Sequence, residues 1–171
     1  MKVIAYDIGT TGLKTCLFHI SAKDSVQLIE GEVEDYELYI LENGGVEQEP
    51  TQWWDAMAKS TKRLLKKTGV AKEEIKGISF CSQMQTLVMV DKDGVPLRRS
   101  MSCMDTRADK QFNRYMKKGI QVEGLNLYKV FRFLRITGVV SASTKDPLWK
   151  YHWVKDNEPD IYKKTDRKSV V

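Results

Sequence analysis

Six residues near the start of this 171-residue chain have the types and spacing to hold an anion. Asp7 precedes the run Gly9-Thr10-Thr11-Gly12, and Lys14 follows two positions later. Gly9 and Gly12 have no Cβ, so backbone N–H groups there can approach an anion and point the same way. Thr10 and Thr11 add hydroxyl donors, and Lys14 adds a full positive charge. Asp7 would repel an anion met directly. Its charge fits a cation or a metal-bound water in between, which is how Mg²⁺ usually meets protein beside phosphates. The same run also has the composition of an ordinary tight turn.

The elements that must position these residues are two short apolar runs, Val3 to Tyr6 and Leu13 to Phe18. Two such runs about a Gly-containing turn predict a β-hairpin. Asp7 then stands at the carboxyl end of the first strand and Lys14 one step along the second.

Asp-Ile-Gly-Thr-Thr-Gly-Leu-Lys, residues 7–14, resembles the first phosphate motif of the actin-like ATPase superfold. More closely it resembles the sugar kinases of the FGGY carbohydrate kinase family, its xylulokinases above all. The resemblance implies ATP and Mg²⁺ as cofactors, with Asp7 as the carboxylate for a Mg²⁺-bound water. It implies Gly9, Thr10, Thr11, Gly12 and Lys14 as phosphate contacts.

A second stretch places polar residues directly after an apolar strand: Ile78-Ser-Phe-Cys-Ser-Gln83-Met84-Gln85. Ligands of open α/β sheets gather at the carboxyl ends of strands. A plain strand connection with Met84 in the core is the competing reading. FGGY kinases have a similar segment, often Gly-Gln-Met-His-Gly, whose Met-His pair lies against the sugar. The resemblance therefore implies Gln83, Met84 and Gln85 as substrate contacts. Glutamine stands where the family has histidine, which weakens the case for xylulose itself. Ser102 to Arg107 resembles the family's Trp-x-Asp-x-Arg segment, with Cys103 where tryptophan is common, and implies Asp105 and Arg107 as further sugar contacts. Asp105 is equally suited to an ion pair or a helix cap. Two further blocks, Gly45 to Trp54 and Leu148 to Pro159, also match the family's order, and their tryptophans are expected in the core.

Composition narrows the alternatives. Residues that are 42% apolar and 30% charged belong to a globular protein. No run approaches the ~20 apolar residues of a membrane span, and no secretory signal follows Met1. Cys16, Cys81 and Cys103 lack metal-ligand spacing, so reduced thiols in the cytoplasm are expected. The net charge of +5 divides into +8 from Lys110 onward and −3 before it. Short lysine pairs between acidic and apolar residues read as a solvated helical surface rather than a nucleic-acid module. His19 and His152 have no carboxylate or cysteine at useful spacing.

Further elements follow in order. Val26 to Tyr39 alternates loosely as a third strand, and Glu42 to Pro50 is a loop. A helix capped by Thr51 presents Trp53, Trp54, Met57, Ala58, Thr61, Leu64, Leu65 and Thr68 as one stripe, and Gly69 closes it. Ile75 to Phe80 and Leu87 to Val90 read as buried strands, with a hairpin-like unit from Leu87 to Ser102. Helices are expected over roughly Thr106 to Lys118 and over Leu125 to Ile136, the latter with Leu127, Val130, Phe131 and Leu134 inward. A last helix starts at Pro147 and ends at Glu158-Pro159.

The expected fold class is α/β: an actin-like (ribonuclease H-like) ATPase domain whose mixed sheet is opened by the phosphate hairpin, here incomplete. Residues 1–171 read as one truncated N-terminal domain. FGGY kinases are longer, and the resemblance puts their catalytic base and adenosine-binding segment beyond Val171, so no catalytic residue is assigned within this chain. The partners expected are a small-molecule sugar and the missing C-terminal domain, with a homodimer left open and no membrane. The alternative function is a non-catalytic binding or regulatory product that keeps only this fold.

Overall fold

The computed structural model describes residues 1–21 and 25–170, with the backbone alone over 167–170. Two compact units divide the chain. The first comprises Met1–Leu38 and Glu49–Gln83, the second Tyr39–Gln48 and Met84–Val171.

The first unit is a four-stranded mixed sheet with one long helix. β1 (Lys2–Ile8) and β2 (Gly12–Ile20) form the expected hairpin, antiparallel and in register from Lys2↔His19 to Ile8↔Leu13. β3 (Val26–Asp35) pairs antiparallel with β2. β6 (Ile75–Ser82) pairs parallel with β1, giving the order β3-β2-β1-β6. Strand alternation sends Ile4, Tyr6, Leu13, Thr15 and Leu17 to one face, where α1 (Pro50–Thr68) buries them. Two polar bonds fix that packing. The Tyr6 hydroxyl meets Thr61 Oγ1 at 2.8 Å, and Thr15 Oγ1 meets Ser60 Oγ at 2.7 Å with both fully buried.

Here the structure departs from the sequence expectations. Pro50 is the first helical residue, with Glu49 at the N-cap position, where Thr51 was expected to cap. Proline suits that place because its fixed φ is helical and its missing N–H would be unsatisfied anyway. The buried stripe of α1 runs through Trp53, Ala56, Ser60 and Leu64, while Trp54 is 72% exposed and Ala58 is exposed. Ser60, bonded to Thr15, lies on the buried face with Ala56 and Leu64, and the second tryptophan lies off it. Gly69 ends the helix as expected, at φ +67°. β6, expected to be buried, lies at the edge of the sheet and exposes Ile78 and Phe80. Phe80 stacks on Tyr6, ring centroids 5.4 Å apart.

The second unit holds a five-stranded sheet absent from the sequence expectations. Its order is β11 (Arg167–Val170), β7 (Leu87–Val90), β8 (Ser100–Met101), β5 (Val46–Gln48) and β4 (Tyr39–Ile40). Thus the third strand of the first unit stops at Asp35, and the expected loop before Pro50 contributes β5. The expected pairing within Leu87 to Ser102 is present as Leu87↔Met101. α4 (Pro147–Asn157) packs Val154 against Leu87, Met89 and Met101, and its Trp149 against Ala108, Phe112 and Met116. Phe112 and Met116 lie on α2 (Asp109–Met116), shorter than expected. α3 (Leu127–Thr137) follows a small ribbon of β9 (Gln121–Val122) and β10 (Leu125–Asn126). Val130 and Phe133 face the Trp149 cluster, whereas Leu127, Phe131 and Leu134, expected inward, are exposed. α4 ends at Asn157 with Glu158 at its C-cap, as expected, and a separate helix α5 (Pro159–Lys164) follows it. Among the described residues no helix is long and apolar enough to cross a membrane.

The α1 face can be tested directly. Leu64→Ala, at a fully buried position, should cost about 2–5 kcal/mol in urea unfolding. Trp54→Ala should move the same measurement by no more than about 0.5 kcal/mol.

Candidate functional site

The anion-type turn lies at the end of the β1–β2 hairpin. Asp7 pairs directly with Lys14 in the register, so both side chains share one face, and alternation makes it the face away from α1. Lys14 Nζ lies 3.9 Å from Asp7 Oδ2, with both groups more than half exposed. Beside them a shallow groove of about 260 Å³ is lined by Ala5, Cys16, Phe18, Ser79 and Cys81 among others. The site therefore offers one carboxylate and one ammonium side by side, open to solvent.

Close backbone approach sets the turn's shape. The N–H of Gly9 donates to Gly12 O at 3.0 Å, and a Cβ on Gly9 would stand 3.0 Å from that oxygen. A Cβ on Gly12 would meet Asp35 Oδ1 at 2.7 Å and Glu34 O at 3.1 Å. Both glycines have negative φ, so the need is for space rather than for a left-handed backbone. Thr10 and Thr11 form the apex between them.

Tyr36, which the sequence reading did not single out, clamps this turn. Its hydroxyl donates to Gly9 O and lies 3.2 Å from Gly12 O, and its own N–H reaches Thr11 O at 3.3 Å. Burial, then the nearby Asp7 charge, pushes its hydroxyl up to about 12. The only signal in the sequence was an aromatic residue within the loosely alternating stretch from Val26 to Tyr39.

Parallel pairing of β6 with β1 aligns Asp7 with Cys81 and Ile8 with Ser82. The N–H of Gln83 then donates to Ile8 O at 2.8 Å. Gln83 therefore starts its connection beside the phosphate-type turn, at the carboxyl ends of both strands.

Met84 and Gln85 open the second stretch of the other unit. Met84 is 79% exposed, so the alternative of a core methionine does not hold. Gln85 has φ +62°, uncommon for a residue other than glycine. Its Nε2 donates to Asp146 Oδ1 at 2.9 Å, and its carbonyl accepts from Lys150 Nζ at 2.7 Å. Asp146 and Lys150 were likewise not singled out from sequence.

Asp105 and Arg107 form a different kind of centre. Asp105 is fully buried, accepts from Val46 N at 3.0 Å, and holds Arg107 Nη2 at 2.6 Å. Arg107 Nη2 also lies 2.6 Å from Glu47 Oε1, a carboxylate that Arg98 shares. The Arg107 guanidinium sits 4.4 Å from the Trp153 ring centre. Burial works to lower its pKa, but its bonds to Asp105 and Glu47 leave it raised. Both side chains are enclosed, with Arg107 Nε and Nη2 and both Asp105 oxygens bonded within the unit, so neither presents an open face to a ligand.

Mg²⁺ commonly takes one or two carboxylates, keeps several waters and binds phosphates as well. Solvent-open Asp7 fits such water-mediated contact. Among the described residues no cluster of three or more His, Cys, Asp or Glu side chains forms an all-protein metal cage.

The mixed α/β fold with its glycine-threonine hairpin defines a class, and the sequence places the chain within it. Residues 2–171 match the N-terminal domain of the FGGY family of carbohydrate kinases, and the chain belongs to that family. A xylulose kinase of Staphylococcus epidermidis is 32% identical over 96% of this chain and 29% of its own length. A glycerol kinase of Aquifex aeolicus is 28% identical over 99% of this chain and 31% of its own length. The crystal structure of a Brucella ovis xyloylose kinase shares the fold at TM-score 0.82 and 22% identity, covering 99% of this chain and 32% of that one. The chain thus spans about a third of the length of the relatives it matches.

The Tyr36 clamp predicts a pH effect. An unfolded tyrosine loses its proton near 10, whereas folded Tyr36 keeps its own to about 12. The folded state then holds more protons, so stability should fall as pH rises from 10 to 12. Tyr36→Phe should lose about 1 kcal/mol at neutral pH and lack this part of the alkaline slope, as measured by urea unfolding across that range.

Proposed function

We propose that this chain is the N-terminal part of an ATP-dependent carbohydrate kinase, which transfers the γ-phosphoryl group to a hydroxyl of a pentulose or related polyol. The observation that carries the reading is the Asp7–Lys14 pair astride the Gly9–Gly12 turn. Family membership and the identities to xylulose and glycerol kinases support it.

Phosphoryl transfer asks for positioning and charge neutralisation more than for covalent chemistry from the protein. Gly9, Thr10, Thr11 and Gly12 would cradle phosphate oxygens with backbone and hydroxyl donors, and Tyr36 keeps their backbone in one shape. Asp7 would hold a water of a Mg²⁺ ion, which supplies charge neutralisation to the nucleotide. Lys14, released from its pair with Asp7, would stabilise negative charge on the transferred group. Gln83, Met84 and Gln85 would contact the sugar, Met84 through apolar contact and the glutamines through hydrogen bonds to hydroxyls. Asp105 and Arg107 take a supporting role, since their enclosed ion pair holds Val46 and Glu47 in place. The base that accepts the hydroxyl proton would come from the greater length found in the relatives. The protein would work in the cytoplasm, where ATP and free sugars are available.

In a longer protein carrying this chain, Asp7→Asn should lower kcat by about 10²-fold and leave sugar KM nearly unchanged. Lys14→Ala should lower kcat in the same direction. Met84→Ala or Gln85→Ala should instead raise sugar KM by roughly 2- to 12-fold, the worth of one neutral contact. Steady-state kinetics with ATP and pentuloses check both sets. Unchanged turnover in Asp7→Asn would sink the reading. The isolated 171-residue chain should show no ATP-dependent sugar phosphorylation, because this reading places the general base outside it, a contribution of about 10²–10⁴-fold.

A further inference from the structure

Lys150 is fully buried, although an ammonium is among the most strongly hydrated of side-chain groups. Enclosing it is unfavourable unless its donors find partners. Its Nζ donates to two backbone carbonyls, Gln85 O at 2.7 Å and Ser102 O at 2.6 Å. Neither segment is near it in sequence. Gln85 follows the carboxyl end of β6, and Ser102 follows β8 and leads into Asp105 and Arg107. One side chain thus ties together the two segments whose sequences resemble the family's sugar-contacting motifs.

The way it holds Gln85 is informative. Gln85 keeps φ +62°, a left-handed conformation that is unfavourable for a residue with a Cβ. Its carbonyl is held by Lys150 and its side-chain amide by Asp146, and both of these residues belong to the start of α4. The helix therefore grips Gln85 at two points and leaves the preceding Met84 projecting into solvent. Packing alone does not call for this arrangement, since neighbouring Trp149 and Val154 already anchor α4 in two apolar clusters. Desolvation lowers the Lys150 pKa to about 8 despite the opposing charges of Asp105 and Asp146, so its placement comes at an energetic cost.

We propose that Lys150 is a positioning residue that fixes the backbone of Gln85 and Ser102, so that Met84 and Gln85 meet a hydroxylated substrate in a single conformation. The proposal rests on the sugar-kinase reading and deepens it. Lys150 would touch no substrate itself.

Lys150→Met preserves the side chain's length and apolar stem while removing its donors. In a longer protein carrying this chain it should raise sugar KM by about tenfold, with kcat and ATP KM within about twofold of the parent. In the 171-residue chain, amide hydrogen exchange should quicken over residues 84–87 while exchange in α1 stays unchanged. An unchanged sugar KM in Lys150→Met, beside a raised one in Met84→Ala, overturns the positioning role and leaves the kinase reading standing. An unchanged sugar KM in both variants overturns the sugar contact of Met84 and this role with it, and no sugar phosphorylation by the parent overturns the kinase reading itself. Equal losses for both substrates with a lower unfolding midpoint make Lys150 purely structural and also overturn the role. Should Lys150→Met not fold, Lys150→Gln, with a donor of shorter reach, is measured in the same way, and a parental sugar KM overturns the proposal.

Discussion

Parallel pairing between β1 and β6 is the constraint on which the first unit depends. Seven residues of each strand run side by side from Lys2 to Ile8, and the ladder closes with the N–H of Gln83 on Ile8 O. Because both strands run the same way, both carboxyl ends emerge at one edge of the sheet. Ligand sites of open α/β sheets form at such edges. A one-residue slip of β1 would send Asp7 to the α1 face and an apolar neighbour to the solvent. The burial of Ile4, Tyr6, Leu13 and Leu17 against α1 therefore fixes the face of the charged pair as well as the core.

Polar groups do comparable work in the second unit, where apolar clusters are small. Arg107 and Arg98 share Glu47, Asp105 completes the group, and Trp153 lies beneath both guanidiniums. Removing one member would leave its partners charged and enclosed, which is more damaging than losing an exposed ion pair. The pairs that Lys67 makes with Glu30 and Glu32 of β3, by contrast, have an exposed ammonium and contribute little.

The hairpin, α1 and the connection after β6 were legible because each carries a strong local signal: period-two alternation, a 3.6-residue stripe, or polar residues directly behind an apolar strand. The five-stranded sheet was not, because β4, β5 and β8 have two or three residues each and show no period. α3 is apolar on several faces, so the pattern could not tell Val130 and Phe133 from Leu127 and Phe131. Trp54 was misplaced because hydrophobicity outranked Ser60, whose burial depends on a hydrogen bond to a residue 45 positions away. Within the candidate site, the turn and the Gln83–Gln85 segment were readable from residue types. Tyr36 and Lys150 were not, since an aromatic in an expected strand and a lysine in a helix look ordinary until their partners are known.

The two units are interleaved along the chain, and this bears on the order in which they are made. All residues of the first unit have been synthesised once Gln83 has been added, while Tyr39–Gln48 already belongs to the second. β5 can pair with β4 at once but must wait for β8, about fifty residues later, before its other edge is paired. At ribosomal rates of about 5–20 residues per second that wait is roughly 3–10 s. Throughout it, Val46–Gln48 has backbone donors and acceptors but no strand partner from β8, a template for unwanted pairing. Its Glu47 carries a charge that discourages such pairing until Arg98 and Arg107 have been synthesised to meet it.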